Sequence, residues 1–133
     1  MSDKQFAESM KGQKGIARLI KACGYSKDGF IAAMTEPAFR QLVWLNGILL
    51  ILLFFFNFGP VTKMILLMAS FISLLTELLN TAIEAAVDHT SLAKHPLAKR
   101  AKDVGSAAQF LVLVMLGVLW GMALWRDYGL NLF

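Results

Sequence analysis

The sequence predicts an all-α membrane protein: three transmembrane helices preceded by an N-terminal amphipathic surface helix. Three observations carry this. Hydrophobic residues make up 57% of the 133 residues and charged residues only 17%, with a mean hydropathy of +0.60. A water-soluble domain of this size would have too little polar surface to cover itself. The apolar residues gather into three runs of bilayer-crossing length, each opened by a proline. Lysine and arginine are distributed unevenly about those runs.

Residues 1–14 read as a polar tail, partly helical at most. They lack an apolar stretch followed by a small-residue cleavage site, so no cleaved signal peptide is expected. From Gly15 the pattern changes. Ile16, Leu19, Ile20 and Cys23 share one helix face, flanked by Arg18 and Lys21. Gly24 is expected to stop this helix, and Ser26 to cap a second piece bearing Phe30, Ile31, Ala33 and Met34. Residues 15–35 are thus expected to form a broken helix on the membrane surface; packing against protein alone is the alternative. Cys23 is the single cysteine, which rules out an intrachain disulfide and leaves a small apolar filler.

Glu36-Pro37 marks a boundary, because proline disfavours αR before it and suits a first helical turn. The first span is expected over 38–58, where only Asn46, Gly47 and Asn57 interrupt the large hydrophobes after Gln41. Gly59-Pro60 breaks the chain. The second span is expected over 61–88, about 42 Å long, so its last turns must emerge or tilt. Residues 89–95 form a polar connector. Pro96 opens the third span, expected over 96–126, with His95 as a neighbour of the cap. Trp120, Trp125 and Tyr128 suit an interfacial aromatic belt, and Gly117 and Gly121 form a small-xxx-small pair open to another helix.

Orientation follows from counting. Seven Lys and Arg precede the first span: Lys4, Lys11, Lys14, Arg18, Lys21, Lys27 and Arg40. The second connector adds Lys94, Lys99, Arg100 and Lys102, while only Lys63 and Arg126 lie on the other side. The positive-inside rule then places the N-terminus and the 89–103 loop in the cytoplasm.

The chemistry gathers on the second span. At 100° per residue Glu77, Asn80, Glu84 and Asp88 fall at about 0°, 300°, 340° and 20°, one narrow acidic stripe. An acid near the centre of a span costs on the order of 3 kcal/mol, and ionisable groups inside membranes are functional by default. The plainer alternative pairs Glu77 with Lys102 or Arg100. Glu77, set among Leu74, Leu75 and Leu78, suits a general base or proton carrier. Glu84, nearer water, suits a hard cation such as magnesium, which takes one or two carboxylates and completes its shell with phosphate and water. Lys102, with Ser106 and Gln109 on its face, can hold transferred phosphate charge. These parts suit metal-assisted phosphoryl transfer to a lipid at the cytoplasmic face. The Gly-rich phosphate loops of soluble nucleotide enzymes are absent. On pattern alone, a small proton-coupled transporter using Glu77 fits almost as well, and a structural or regulatory membrane subunit leaves the stripe without a role. Asp88 has no assignment beyond support at the helix exit.

The run Glu77-Leu-Leu-Asn80-Thr-Ala-Ile-Glu84-Ala-Ala-Val-Asp88, followed by Ala101-Lys102-Asp103-Val-Gly-Ser106-Ala-Ala, resembles the prokaryotic diacylglycerol kinase family. Arg18-Leu-Ile-Lys21-Ala-Cys-Gly24-Tyr25-Ser26 and Glu36-Pro-Ala-Phe39-Arg40-Gln41 extend the likeness across roughly residues 15–126. The resemblance implies one membrane kinase domain over 15–133, working as a homotrimer in the bacterial inner membrane with active sites shared between subunits. It implies transfer of the γ-phosphate of MgATP to the hydroxyl of diacylglycerol, giving phosphatidic acid in phospholipid recycling. By motif position, Glu77 is the catalytic base on the lipid side, and Glu36 and Glu84 hold Mg2+. Arg18, Tyr25, Glu36, Asn80, Glu84, His95, Lys102 and Asp103 bind the nucleotide, and Gln41 and Ser106 line the lipid substrate. Expected partners are ATP, the lipid alcohol, the bilayer and further copies of the chain; no nucleic acid is expected. The pattern departs from the family at Pro37, at Leu42 where an acid is common, at Phe55 where an interfacial tryptophan is common, and by one residue between Gly29 and Glu36. These departures bear on the substrate wall. An undecaprenol kinase of the same fold is the nearest alternative.

Overall fold

A computed structural model describes residues 2–11, 15–90 and 92–128. The readings made of Met1, Gly12, Gln13, Lys14 and Ser91 lie outside the described residues. Every described element is helical, and the chain divides into two compact units, Met1–Thr35 and Glu36–Phe133.

The first unit holds α1 (Asp3–Lys11) and α2 (Ile16–Ala33). Gly15 precedes α2 with φ 79°, a left-handed conformation open to glycine without strain. The expected break at Gly24 does not occur: α2 runs unbroken through Gly24 and Ser26. The Ser26 hydroxyl turns back and donates to the Ala22 carbonyl at 3.0 Å instead of capping a new helix. A single glycine inside a helix costs only about 1 kcal/mol relative to alanine, which the rest of α2 tolerates. Ile16, Leu19, Ile20, Phe30 and Ile31 remain exposed on α2, as suits a helix with an apolar face turned to a membrane surface.

The second unit holds α3 (Pro37–Phe55), α4 (Pro60–Thr90) and α5 (Pro96–Tyr128). All three are long and apolar enough to cross a bilayer. Each begins on proline, whose missing N–H is no loss in a first turn. Glu36 is extended before Pro37, and His95 caps α5 by accepting the Leu97 N–H on Nδ1 at 3.1 Å. At 1.5 Å per residue α4 and α5 are each close to 50 Å long, well beyond a hydrocarbon core of about 30 Å, so their polar ends reach past it.

The helices pack in sequence, α3 on α4 and α4 on α5. At the end near the Phe56–Gly59 turn the core is apolar and aromatic. Leu53, Phe58, Leu66, Ala69, Leu116, Trp120 and Ala123 are buried together. Phe58 packs edge-on to Trp120 and Tyr128, and the Tyr128 hydroxyl accepts the Asn57 N–H. Trp120 therefore faces inward and not into an interfacial belt, because the Phe58 ring is available to cover it; Trp125 and Tyr128 stay exposed. Gly117 and Gly121 have nothing packed against them within the chain.

Candidate active site at the polar end of α4 and α5

The buried face of α4 is polar from Ser70 to Asn80. Ser70, Ser73, Glu77 and Asn80 are all buried on it, and Glu84 is half-buried one turn further. Ser73 anchors the inner end. Its hydroxyl donates to the Ser70 carbonyl at 2.8 Å and accepts from Asn46 Nδ2 of α3 at 2.9 Å. Asn46 also donates to the Leu42 carbonyl of its own helix. This joins α3 to α4 in a region where unmet polar groups are costly.

Glu77 lies one turn from Ser73 and is 5% exposed. Among the described residues nothing forms a hydrogen bond or ion pair with its carboxylate. The expected alternative of a Glu77 pair with Lys102 or Arg100 is not what the structure adopts. Lys102 reaches past to Asp88, Nζ to Oδ1 at 2.5 Å. This gives Asp88 the role the sequence left open: it tethers the exit of α4 to the start of α5 and fixes where the Lys102 ammonium sits.

Asn80 is the hinge of the arrangement. Its Nδ2 donates to Glu84 Oε1 at 3.5 Å, while its Oδ1 is enclosed without a partner. On α5, Gly105 stands directly opposite. A Cβ there would run into Asn80 Oδ1 and lie 3.3 Å from its Cγ. The close approach of α4 and α5 is therefore at Gly105, not at the small-xxx-small pair nearer the other end. Only a residue without a side chain lets the helices meet with Asn80 between them.

Asp103, expected beside Lys102 in the nucleotide site, is exposed and paired to Lys99 one turn earlier at 2.5 Å. His95 lines a groove of about 450 Å³ with Val87, Thr90, Lys94 and Ala98 where α4 gives way to α5. A second groove, of about 570 Å³, runs beside it along Ile83, Arg100, Ala101, Val104 and Ala108. Ser106 is exposed on α5. Glu36 and Gln41 are exposed at the start of α3, and no hydrogen bond or ion pair links either to the α4 stripe among the described residues. Arg18 and Tyr25 are exposed on α2 in the first unit. The structure thus brings together Asn80, Glu84, Asp88 and Lys102, with Glu77 one turn deeper. Sequence reasoning missed Asn46, Ser73 and the Asp88–Lys102 tether. The isolated polar residues Asn46 and Ser73 inside apolar runs were the available signal for the first two.

Among the described residues no three His, Cys, Asp or Glu side chains cluster as a metal cage. Glu84 nevertheless offers a carboxylate with one weak hydrogen bond and lone pairs to spare. That suits a cation sharing its shell with phosphate oxygens better than one enclosed by protein. An open acid, a neighbouring ammonium and an unpaired deeper carboxylate are the components of phosphoryl transfer with a separate base.

Comparison with known proteins agrees with this chemistry. A family model described as prokaryotic diacylglycerol kinase matches residues 24–124. The diacylglycerol kinase of Pseudomonas aeruginosa is 47% identical over 115 residues, covering 86% of this chain and 94% of that one. The Helicobacter pylori enzyme is 43% identical and the Escherichia coli enzyme 35%, each over 86% of this chain and at least 91% of its own length. With its acidic stripe, its three spans and matches of this extent, the chain belongs to the prokaryotic diacylglycerol kinase family.

Proposed function

We propose that this chain phosphorylates diacylglycerol with ATP, with Glu77 as the base and the Glu84–Asn80–Lys102 group as the phosphate side of the site. The observation that carries the division of roles is depth. Glu77 is buried and unpaired, while Glu84 and Lys102 lie one to two turns nearer the polar ends of the helices. A lipid hydroxyl approaches from the hydrocarbon and a nucleotide from water, so the two substrates meet along this gradient.

In the reaction Glu77 accepts the proton of the acceptor hydroxyl. The hydroxyl oxygen bonds to the γ-phosphorus as the bond to the β–γ bridging oxygen breaks, and ADP departs. Lys102, held by Asp88, faces the phosphate charge as it moves, and Asn80 keeps the Glu84 carboxylate in place. Glu84 and Glu36 would hold Mg2+, which supplies neutralisation of the polyphosphate charge. Arg18, Tyr25, His95 and Asp103 complete the nucleotide site, and Gln41 and Ser106 the lipid side. His95 already lines a groove at the helix junction, which supports its share in this reading.

The working unit in this reading is residues 15–133 assembled as a homotrimer, with the N-terminus and the 89–103 loop at the cytoplasmic face of the inner membrane. The Gly117–Gly121 face, left open within one chain, supports self-association. The eleven-to-two split of Lys and Arg supports the orientation. The test is direct. Protein in mixed micelles with magnesium and γ-labelled ATP is offered diacylglycerol or undecaprenol separately. Label is expected in phosphatidic acid. Label only in undecaprenyl phosphate would reassign the acceptor, and label in neither lipid would end the kinase reading.

A further inference from the structure

Gln109 lies on α5, 8% exposed, with both its Nε2 and its Oε1 enclosed and without any hydrogen-bond partner. A primary amide sealed between helices with nothing to bond is costly, and a leucine there would avoid the cost. The interface around it is otherwise well chosen: Gly105, Leu116, Trp120 and Ala123 form the same buried face of α5. Gln109 therefore calls for a partner.

The register of the two helices names one. α4 and α5 run antiparallel, with Asp88 against Lys102 at one end and Leu66 and Ala69 against Leu116 and Trp120 towards the other. Between them Asn80 abuts Gly105. Moving one turn along α5 from Gly105 to Gln109 advances about 6 Å, and moving from Asn80 back to Glu77 on α4 advances about 4.5 Å in the same direction. Gln109 and Glu77 thus stand at one level of one interface. Glu77 is buried there without a hydrogen-bond partner among the described residues, whereas the unpaired Asn80 Oδ1 lies one turn away, against Gly105. Its carboxylate oxygens, unlike the Gln109 amide, are not fully enclosed, so the acid keeps an edge open beyond the interface.

We infer that Gln109 is a positioning residue for Glu77: its Nε2–H donates to one carboxylate oxygen and leaves the other aimed at the acceptor hydroxyl. The bond matters most after substrates bind, when one oxygen must face the proton it will take and rotation of the carboxylate would misdirect it. Asn46, whose Oδ1 is also enclosed and unpaired, is the competing partner for the same amide on the α3 side.

This inference rests on the assignment of Glu77 as base, and the experiment separates the two. Gln109→Met keeps the length and shape of the side chain and removes its hydrogen bonds. It is expected to lower kcat about ten- to hundredfold, the rate equivalent of a hydrogen bond to a charged group. KM for ATP and for diacylglycerol should stay within about twofold and the melting temperature should be unchanged or raised, since an unmet amide is removed. Asn46→Leu, which loses the bond to Ser73 but not the amide of Gln109, should lower kcat less than Gln109→Met does. Full kcat in Gln109→Met, or an equal loss of kcat in Asn46→Leu, would overturn the inference. Glu77→Gln is run beside them: if it turns over normally the base assignment itself has failed, whereas an inactive Glu77→Gln with a fully active Gln109→Met removes only the role given to Gln109.

Discussion

The two ends of the α4–α5 interface are built from opposite materials. Near the Phe56–Gly59 turn, Phe58, Trp120 and Tyr128 meet edge to face over Leu66, Leu116 and Ala123. A hydrogen bond from the Asn57 N–H to the Tyr128 hydroxyl closes that end. At the other end the same two helices meet with Asn80 against Gly105 and Asp88 against Lys102, Glu77 and Gln109 are buried on them, and the Asn80 and Gln109 side chains keep polar atoms enclosed and unpaired. The aromatic end buries large apolar side chains and leaves the Trp120 Nε1–H enclosed and unpaired, so it can hold the bundle at the cost of one such group. The polar end carries the cost of unpaired groups, and such cost is found where a ligand or a transition state is to be met. In the proposed reading stability and chemistry are separated along one pair of helices, and substitutions should sort by the end they touch.

The largest effect is expected at Glu77. Glutamine there keeps the size and hydrogen-bonding capacity but cannot take a proton, so turnover should fall about 10²- to 10⁴-fold while nucleotide affinity is kept. Lys102→Met should come next, with kcat reduced about a hundredfold as the charge facing the transferred phosphate is lost. Its melting temperature should barely move, because the Lys102–Asp88 pair has side chains 39% and 48% exposed and such solvent-screened pairs contribute little to stability. Gly105→Ala tests the close approach. Its Cβ must displace Asn80 or push the helices apart, a cost of about 1–3 kcal/mol, so both melting temperature and turnover should drop. Tyr128→Phe is the smallest. It removes the hydroxyl that accepts the Asn57 N–H, so thermal denaturation should show a loss of about 1 kcal/mol, with kcat and both KM values unchanged. A Tyr128→Phe variant that is stable but slow would break the separation of the two ends.

Much of this architecture is legible in the sequence. The three spans are, because apolar runs bounded by prolines are local signals, and their expected limits differ from the helices by no more than three residues. The acidic stripe was legible because an acid in an apolar run announces its own cost. What was not legible depended on register between helices, to which periodicity within one helix is blind. Lys102 choosing Asp88 over Glu77, Asn46 finding Ser73, and Gly105 admitting Asn80 are all of this kind. Trp120 was misplaced for the same reason: an aromatic near a helix end fits an interfacial belt until Phe58 is known to lie against it. The expected break at Gly24 failed through a local competition, in which the Ser26 hydroxyl bonded back to Ala22 and left the helix whole.

The central claim is that depth divides the acids, with Glu77 moving a proton and Glu84 serving a cation. It is tested most directly by titrating magnesium against the initial rate of lipid phosphorylation in Glu77→Gln and Glu84→Gln side by side. Glu84→Gln should need more magnesium and recover part of its rate as magnesium rises, whereas Glu77→Gln should stay slow at every concentration. Rescue of Glu77→Gln by magnesium, or an unchanged magnesium dependence in Glu84→Gln, would contradict the account.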